Sequence, residues 1–314
     1  MPELPDITVY VAALQRHIVG RTLKAVRTTS PFVVRSVTPP LDALVGSEAV
    51  GASRIGKRIV IEFERERFLV VHLMIAGRLR WLAPSKKPPG RIALAEFDFG
   101  EGRLVLTEAS KKKRASIHVV GGRAALRDFD RGGLDVMSAT PVAFTARLRA
   151  ESHTLKRALT DPTIFDGIGN AYSDEILHRA RLSPLTLTGR LDAVTIERLR
   201  AATIGVLTEW TARLSAETGD AWPDKVTAFR DGMAVHGRFG LPCPVCGTPV
   251  QRIRYADNET NYCPTCQTGG RLLADRGLSR LLKKDWPRSI DEFDRRIGEA
   301  RSSQNDVSED RGRG

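Results

Sequence analysis

Apolar residues in the segment 6–19 (DITVYVAALQRHIV) recur at the three- and four-residue spacing of one helical face, which predicts a helix whose start is capped by Asp6. From about residue 22 to 120 the period shortens. KRIVIEFERERFLVVHLMIAG (57–77) and RIALAEFDFGEGRLVLTEA (91–109) are rich in β-branched and aromatic residues and break at charged or Gly-containing turns, the pattern of two hairpins. No long helical stretch separates them, so an antiparallel sheet or sandwich is expected, with SKKPPG (85–90) as a loop. Helical spacing returns from about 142 to 216, in VAFTARLRAES, LKRALTDP, AYSDEILHRARL and DAVTIERLRAATIGVLTEWTARL. The tail from about Ala300 is polar and Gly-containing and is expected to be disordered. No internal repeat is visible.

With 314 residues, 41% of them hydrophobic, the chain is long enough for two or three domains with real cores. Lys and Arg number 49 against 37 Asp and Glu, a formal net charge of +12 that suits a polyanionic partner, of which nucleic acid is the commonest. No run of apolar residues is long enough to span a membrane, and the N-terminus lacks the basic and apolar regions of a signal peptide. A soluble, unexported, cytoplasmic protein without membrane contact is expected, associated with the nucleoid if bacterial.

All four cysteines fall in one segment, PCPVCGTPVQRIRYADNETNYCPTCQ, where Cys243, Cys246, Cys263 and Cys266 form C-x2-C-x16-C-x2-C. Two such pairs, each on a tight turn, supply the tetrahedral sulfur set preferred by Zn2+, and Val250 to Tyr262 reads as a β-hairpin between them. Two disulfides are the alternative, disfavoured in a long chain without an export signal. One structural zinc is the expectation, since four thiolates leave no open coordination position for catalysis and so small a ribbon needs metal to fold.

Two further stretches raise questions of chemistry. DPTIFDGIGNAYSDEIL (161–177) joins two helices through Gly167, Gly169 and Asn170. The glycines permit positive φ and close backbone approach, Asn170 can cap the next helix or donate from its side chain, and amides at a helix start can hold a phosphate. By itself the segment reads equally well as a plain interhelical turn. The chain opens MPELPDI, where Pro2 and Glu3 read either as a stiffened tail or, held near folded structure by the following helix, as functional groups.

Taken in order, PELPDI (2–7), RIGKRIVIEF (54–63), HLMIAGRLR (72–80), LKRALTDPTIFDGIGNAYSDEILHRARLSP (155–184), and HGRFGLPCPVCGTPV through YCPTCQ (236–267) resemble the formamidopyrimidine-DNA glycosylase and endonuclease VIII family over nearly the whole chain except the tail. The resemblance implies an α+β multidomain fold. Its expected parts are an N-terminal antiparallel β-sandwich with an N-terminal helix (1–135), a helical helix-two-turns-helix domain (136–235), a zinc ribbon (236–275) and a C-terminal extension (276–314). It also implies a bifunctional DNA glycosylase and abasic-site lyase of base excision repair that binds damaged DNA, expected as a monomer.

In that family the N-terminal proline amine, here Pro2 after loss of Met1, attacks C1′ of the damaged nucleotide, and the neighbouring acid, here Glu3, moves protons at the sugar. A secondary amine that displaces the base forms an iminium, which acidifies the neighbouring sugar hydrogen and permits β- and then δ-elimination. An α-amine, with a reference pKa of about 7.7 to 8.0, also keeps a useful neutral fraction near pH 7. Lys57, which alone reads as a strand-edge lysine, matches the lysine that holds a phosphate beside the lesion. Asn170 matches the phosphate-binding asparagine, and Lys156 stands where a further basic contact often occurs. Such groups grip the backbone of a kinked duplex rather than read sequence.

The departures concern lesion choice. Where the purine-specific branch has Asp-Pro-Arg-Arg-Phe-Gly, this chain has Ser110, Lys111, Lys112, Lys113 and Arg114, which retain charge for phosphate but no aromatic wedge. HLMIAG replaces HLGMSG, so Met74 or Ile75 is either the wedge or a buried strand residue. Asn258 stands where the zinc hairpin usually presents a phosphate-binding arginine. A damage-binding protein without chemistry, or a zinc-ribbon DNA-binding regulator, are the alternatives to an active enzyme.

Overall fold

The computed structural model describes residues 1–255, 258–274, 287–292 and 295; the tail expected to be disordered lies outside the described residues. In chain order the regular elements are α1 (Leu4–His17), β1 (Ala25–Thr28), β2 (Ala49–Ile55), β3 (Arg58–Phe63), β4 (Arg67–His72), β5 (Gly77–Leu82), β6 (Ala93–Asp98), β7 (Arg103–Glu108) and β8 (Ser116–Gly121). They continue with α2 (Pro141–Arg149), α3 (Leu155–Thr160), α4 (Asn170–Arg179), α5 (Ala193–Thr218), β9 (Gln251–Tyr255), β10 (Asn258–Tyr262) and α6 (Pro264–Thr268). The chain divides into two compact units, one of residues 1–150, 158–169 and 203–228, the other of residues 151–157, 170–202 and from 229 onward.

The first unit is built on two four-stranded antiparallel sheets, ordered β1-β6-β7-β5 and β2-β3-β4-β8. One core joins them: Ile59, Ile61, Phe63 and Leu69 from the second sheet meet Leu79, Phe97, Leu104 and Leu106 from the first, with Ile7, Tyr10 and Leu14 of α1. Both expected hairpins form, as β3-β4 and β6-β7. The segments read as apolar runs rather than strict alternation because the outer face of β3-β4-β8 is covered too. There Val60, Phe68, Val70 and Val120 pack beneath a 3-10 stretch, Arg123–Phe129, through Ala125, Leu126 and Phe129. Trp222 closes one end of the sandwich, stacking on Trp81 with ring centroids 6.2 Å apart and donating from Nε1 to the Leu79 carbonyl at 2.9 Å.

Helix α1 starts two residues before the predicted position. Glu3 is its N-cap, and Asp6, three residues in, accepts from the Glu3 N–H at 2.9 Å through Oδ2. The carboxylate expected to begin the helix instead reaches back to the residue that begins it, which fixes the backbone of Glu3.

In the second unit α4 is buried almost throughout, including Asp174 and Glu175. The Glu175 carboxylate accepts from the N–H groups of Ala234, Val235 and His236, which compensates its burial and ties α4 to the turns that lead into the cysteine segment. The hairpin expected between the cysteine pairs is present as β9-β10, Tyr262 pairing with Gln251. No helix among the described residues is long and apolar enough to cross a membrane.

Candidate active site and metal centre

Three consecutive loop residues organise the chemistry-bearing groups of the first unit. Gly167 accepts from the Leu4 N–H through its carbonyl at 2.9 Å, Ile168 accepts from Lys57 Nζ at 2.8 Å, and the Gly169 N–H donates to Glu3 Oε2 at 2.7 Å. Glycine is required here. A Cβ on Gly169 would lie 2.5 Å from Glu3 Cδ, and Gly167, at φ +79°, would place one 2.9 Å from Leu4 Cβ. The amide expected as a phosphate donor thus holds the Glu3 carboxylate, and the loop clamps residues 3 and 4 and Lys57 together.

Pro2 is buried, and the Met1 amine beside it has its pKa lowered, first by burial and then by the Arg78 and Lys57 charges, against opposing pulls from Glu3 and Asp6. Lys57 is likewise lowered by burial, with Glu3 and Asp166 working in the other direction. An amine whose charged form is disfavoured and a lysine that sheds its proton more easily than usual stand next to one buried carboxylate. This grouping of perturbed groups marks a reactive site.

The turn from β4 to β5 puts Met74 at φ +52° and leaves Ile75 54% exposed at its tip. The basic loop after β7 is organised from below: Glu108 is buried, and its carboxylate accepts from Ser110 Oγ and from the N–H groups of Arg114 and Ala115 at 2.8, 2.8 and 3.0 Å. Lys111, Lys112, Lys113 and Arg114 are exposed around that anchor, although Lys113 Nζ also reaches the Glu108 carbonyl.

In the second unit the Asn170 side chain donates from Nδ2 to the Glu259 carbonyl of β10 at 2.9 Å. The Lys156 ammonium lies inside the same unit, 2.5 Å from Asp174 Oδ1 and bonded to Ser173 Oγ and the Asn170 carbonyl. The other Asp174 oxygen accepts from the Asn261 N–H and contacts His236 Nδ1. Asn258 is exposed at the start of β10, opposite Tyr255.

The four cysteine sulfurs lie within 4.8 Å of one another, with Cys243 and Cys266 4.0 Å apart and Cys246 and Cys263 3.4 Å apart. None is disulfide-bonded. At Zn–S distances of about 2.3 Å, tetrahedral sulfurs sit slightly under 4 Å from each other, so the cluster fits one zinc ion. His178 Nε2 approaches Cys243 Sγ at 3.3 Å, and burial lowers its pKa, so the neutral ring is suited to share a hydrogen bond with a metal-bound sulfur.

The sequence reading missed His72, although it heads the quoted HLMIAG, because a lone histidine in an apolar strand reads as core. Burial first, then the Arg58, Lys57 and His118 charges, push its pKa down to about 4 from 6.5. The folded chain therefore resists protonation that the unfolded chain accepts, so stability held above pH 6.5 is lost as pH falls toward 4. His72→Gln is expected to remove roughly 2 to 3 kcal/mol of that acid-linked loss. Unfolding midpoints in urea at pH 7 and pH 4.5 check this; an equal drop in both proteins contradicts it.

The N-terminal domain model of formamidopyrimidine-DNA glycosylase matches residues 1–114, that enzyme's helix-two-turns-helix domain model matches residues 135–218, and a zinc-finger model found in it and in an isoleucyl-tRNA synthetase matches residues 240–269. A formamidopyrimidine-DNA glycosylase of Exiguobacterium sibiricum is 30% identical over 283 residues, covering 85% of this chain and 99% of the relative. A Mycobacterium tuberculosis protein described as formamidopyrimidine-DNA glycosylase-like is 43% identical over 151 residues, covering 48% of this chain and 94% of the relative. Among solved structures, Lactococcus lactis Fpg bound to DNA containing an abasic site superposes with a TM-score of 0.75 at 25% identity, covering 85% of this chain and 99% of the other. The same protein bound to DNA containing an oxidised pyrimidine gives 0.76 at 26% identity, over 85% of this chain and 100% of the other. With the glycine loop, the cysteine cluster and this likeness along nearly the whole length of its relatives, the chain belongs to the formamidopyrimidine-DNA glycosylase family.

Proposed function

We propose that this DNA glycosylase is bifunctional, excising a damaged base with the Pro2 amine and then cleaving the strand by β,δ-elimination. The observation that carries the reading is the Gly167–Gly169 loop, which fixes Glu3, Leu4 and Lys57 at once. With Met1 in place the Pro2 nitrogen is an amide and has no basic lone pair; removal of Met1 makes it a secondary amine in surroundings that disfavour charge. That nitrogen attacks C1′, the bond from C1′ to the base breaks, and the base leaves with the electron pair and takes up a proton. Loss of the amine proton and opening of the sugar ring give the iminium, Glu3 supplying the proton to the ring oxygen. Removal of a C2′ proton then expels the 3′ phosphate, and a second elimination expels the 5′ phosphate. Lys57, with Asn170, Lys156, Asn258 and the Lys111–Arg114 loop, is assigned to grip the DNA backbone. Electrophoresis of end-labelled abasic-site duplex tests this: phosphate at both ends of a one-nucleotide gap is expected, and intact strands contradict it.

The exposed Ile75, next to a loop of lysines without an aromatic ring, is assigned as the apolar wedge. Flipping a base costs a few kcal/mol, and one aliphatic side chain offsets less of it than a wedge with an orphan-base contact. Poorly stacked substrates, such as abasic sites, ring-opened or saturated bases and lesions in bubbles, are therefore expected to be processed better than 8-oxoguanine opposite cytosine. Ile75→Ala is expected to slow excision from a duplex by roughly tenfold and barely affect a single strand. A lesion panel with both proteins checks the two statements; 8-oxoguanine opposite cytosine as the best substrate, or equal loss on single and double strands, overturns the assignment.

A further inference from the structure

The turn from β4 to β5 is strained and has to be held in place. Met74 stands at φ +52°, a left-handed conformation that a residue with a side chain keeps only where its surroundings impose it. The Gly77 N–H closes the turn on the Leu73 carbonyl at 2.8 Å, so tightly that a Cβ on Gly77 would lie 2.3 Å from that oxygen. Arg78, the next residue, reaches back over the turn. Its Nη1 donates to the Gly77 carbonyl at 2.7 Å and to the Ile75 carbonyl at 3.2 Å, and its Nε donates to the Val226 carbonyl. Both ends of this brace are anchored. Arg78 pairs with Thr107 of β7, whose Oγ1 donates to the Arg78 carbonyl at 3.2 Å, and Val226 belongs to the segment that Trp222 pins to the Leu79 carbonyl. A lysine, with one nitrogen in place of a planar fork of three, cannot serve the Ile75 and Val226 sides together.

The same guanidinium brings its charge to the N-terminus. Charged side chains act on the Met1 amine from three elements: Glu3 and Asp6 of α1, Lys57 in the turn between β2 and β3, and Arg78 of β5. Arg58, His72, Arg131 and Asp166 share a cavity of 350 Å³ with Met1. Burial is the first cause that disfavours the charged amine, and the Arg78 charge is the next that acts in the same direction, ahead of Lys57. Removal of Met1 moves the free amine by one residue, at most about 3.6 Å, so the Pro2 nitrogen stays within reach of that charge.

We propose that Arg78 is a positioning residue for the reaction: it braces the Ile75 turn against Val226 and sets a fixed positive charge beside the amine that attacks C1′. The inference rests on the Pro2 and Ile75 assignments and adds the residue that couples them. Wedge and nucleophile lie on different elements, and Arg78 bonds to the turn that carries one while its charge acts on the other.

The test is single-turnover cleavage by the wild type, Arg78→Gln and Arg78→Lys from acid to alkaline pH. The acid limb is read on abasic-site single strands, which need no wedge. A positive neighbour lowers the pKa of an amine, so its loss raises it: Arg78→Gln is expected to move the acid limb to higher pH, and Arg78→Lys, which keeps the charge, to leave it in place. At alkaline pH, where the amine is neutral in every protein, a saturated pyrimidine is offered in duplex and in single strand. Both variants are expected to excise it roughly tenfold slower from the duplex and at nearly the wild-type rate from the single strand, because the turn that carries Ile75 is loosened. An acid limb at the wild-type pH in Arg78→Gln overturns the proposal, and so does equal slowing on the two strands, the mark of a merely structural role. If Arg78→Gln does not fold, Arg78→Lys decides alone: duplex-selective loss with an unmoved limb supports the proposal, and a wild-type duplex rate or a moved limb overturns it. A wild type that forms no borohydride-trapped complex, or an Ile75→Ala variant without strand selectivity, contradicts the earlier assignments. Where both behave as expected, an unmoved limb or equal slowing removes only the role of Arg78.

Discussion

A chain that retains Met1 ahead of Pro2 is expected to cleave abasic-site DNA slower by on the order of 10³-fold or more, and to form no borohydride-stable complex with it, while binding the same duplex nearly as well as the processed protein. The expectation follows from the nitrogen itself. Acylated by Met1, it cannot form an iminium, whereas the clamp that holds Glu3 and Leu4 through Gly167 and Gly169 is untouched. Binding therefore survives when chemistry does not. Pro2→Gly is a subtler case, since it keeps an amine but loses the ring that restricts its direction of attack, and a lower rate with detectable trapping is expected. Strand cleavage at the normal rate by a chain shown by mass spectrometry to keep Met1 contradicts the assignment.

Removing the metal is expected to have an effect of similar size on binding. Cys263→Ser should lose one equivalent of zinc and at least about a hundredfold in DNA affinity, because structural zinc contributes on the order of 10 kcal/mol to folding a ribbon of this kind. Beyond the four sulfurs, the described contacts of the ribbon include Gln267 Nε2 to the Leu182 carbonyl, Asn170 Nδ2 to the Glu259 carbonyl, the Asn261 N–H to Asp174 and the Glu175 carboxylate against residues 234–236, and the metal is what joins the two cysteine turns to each other. The sandwich has its own core and should keep its hydrogen-exchange protection in β3 and β4. Full activity in protein with no zinc by metal analysis contradicts the structural role.

What could be read from the sequence follows from how local each signal is. The zinc set was legible because cysteine spacing alone brings the sulfurs of each pair together, and both hairpins were legible because strand pairing between neighbours is local. The glycine loop was legible only as a close approach. Its partners, Glu3 and Leu4, are more than 160 residues away in the chain, so nothing nearby shows that the Gly169 amide faces a carboxylate rather than a phosphate. Asp174 and Glu175 look like the polar side of a surface helix for the same reason: the groups that satisfy them come from residues 234–236, from Asn261 and from Lys156. Arg58 and His72 look like ordinary strand residues until the register of β3 and β4 sets them side by side.

The central claim is that the Pro2 amine carries the chemistry, and the most direct measurement is the site of covalent attachment. Borohydride reduction of the protein with abasic-site DNA, followed by nuclease and protease digestion and mass spectrometry, is expected to give an N-terminal peptide that lacks Met1 and bears the reduced sugar on Pro2. A sugar carried instead by Lys57, an amine of this cluster whose pKa burial lowers, would contradict the account, as would the absence of any adduct.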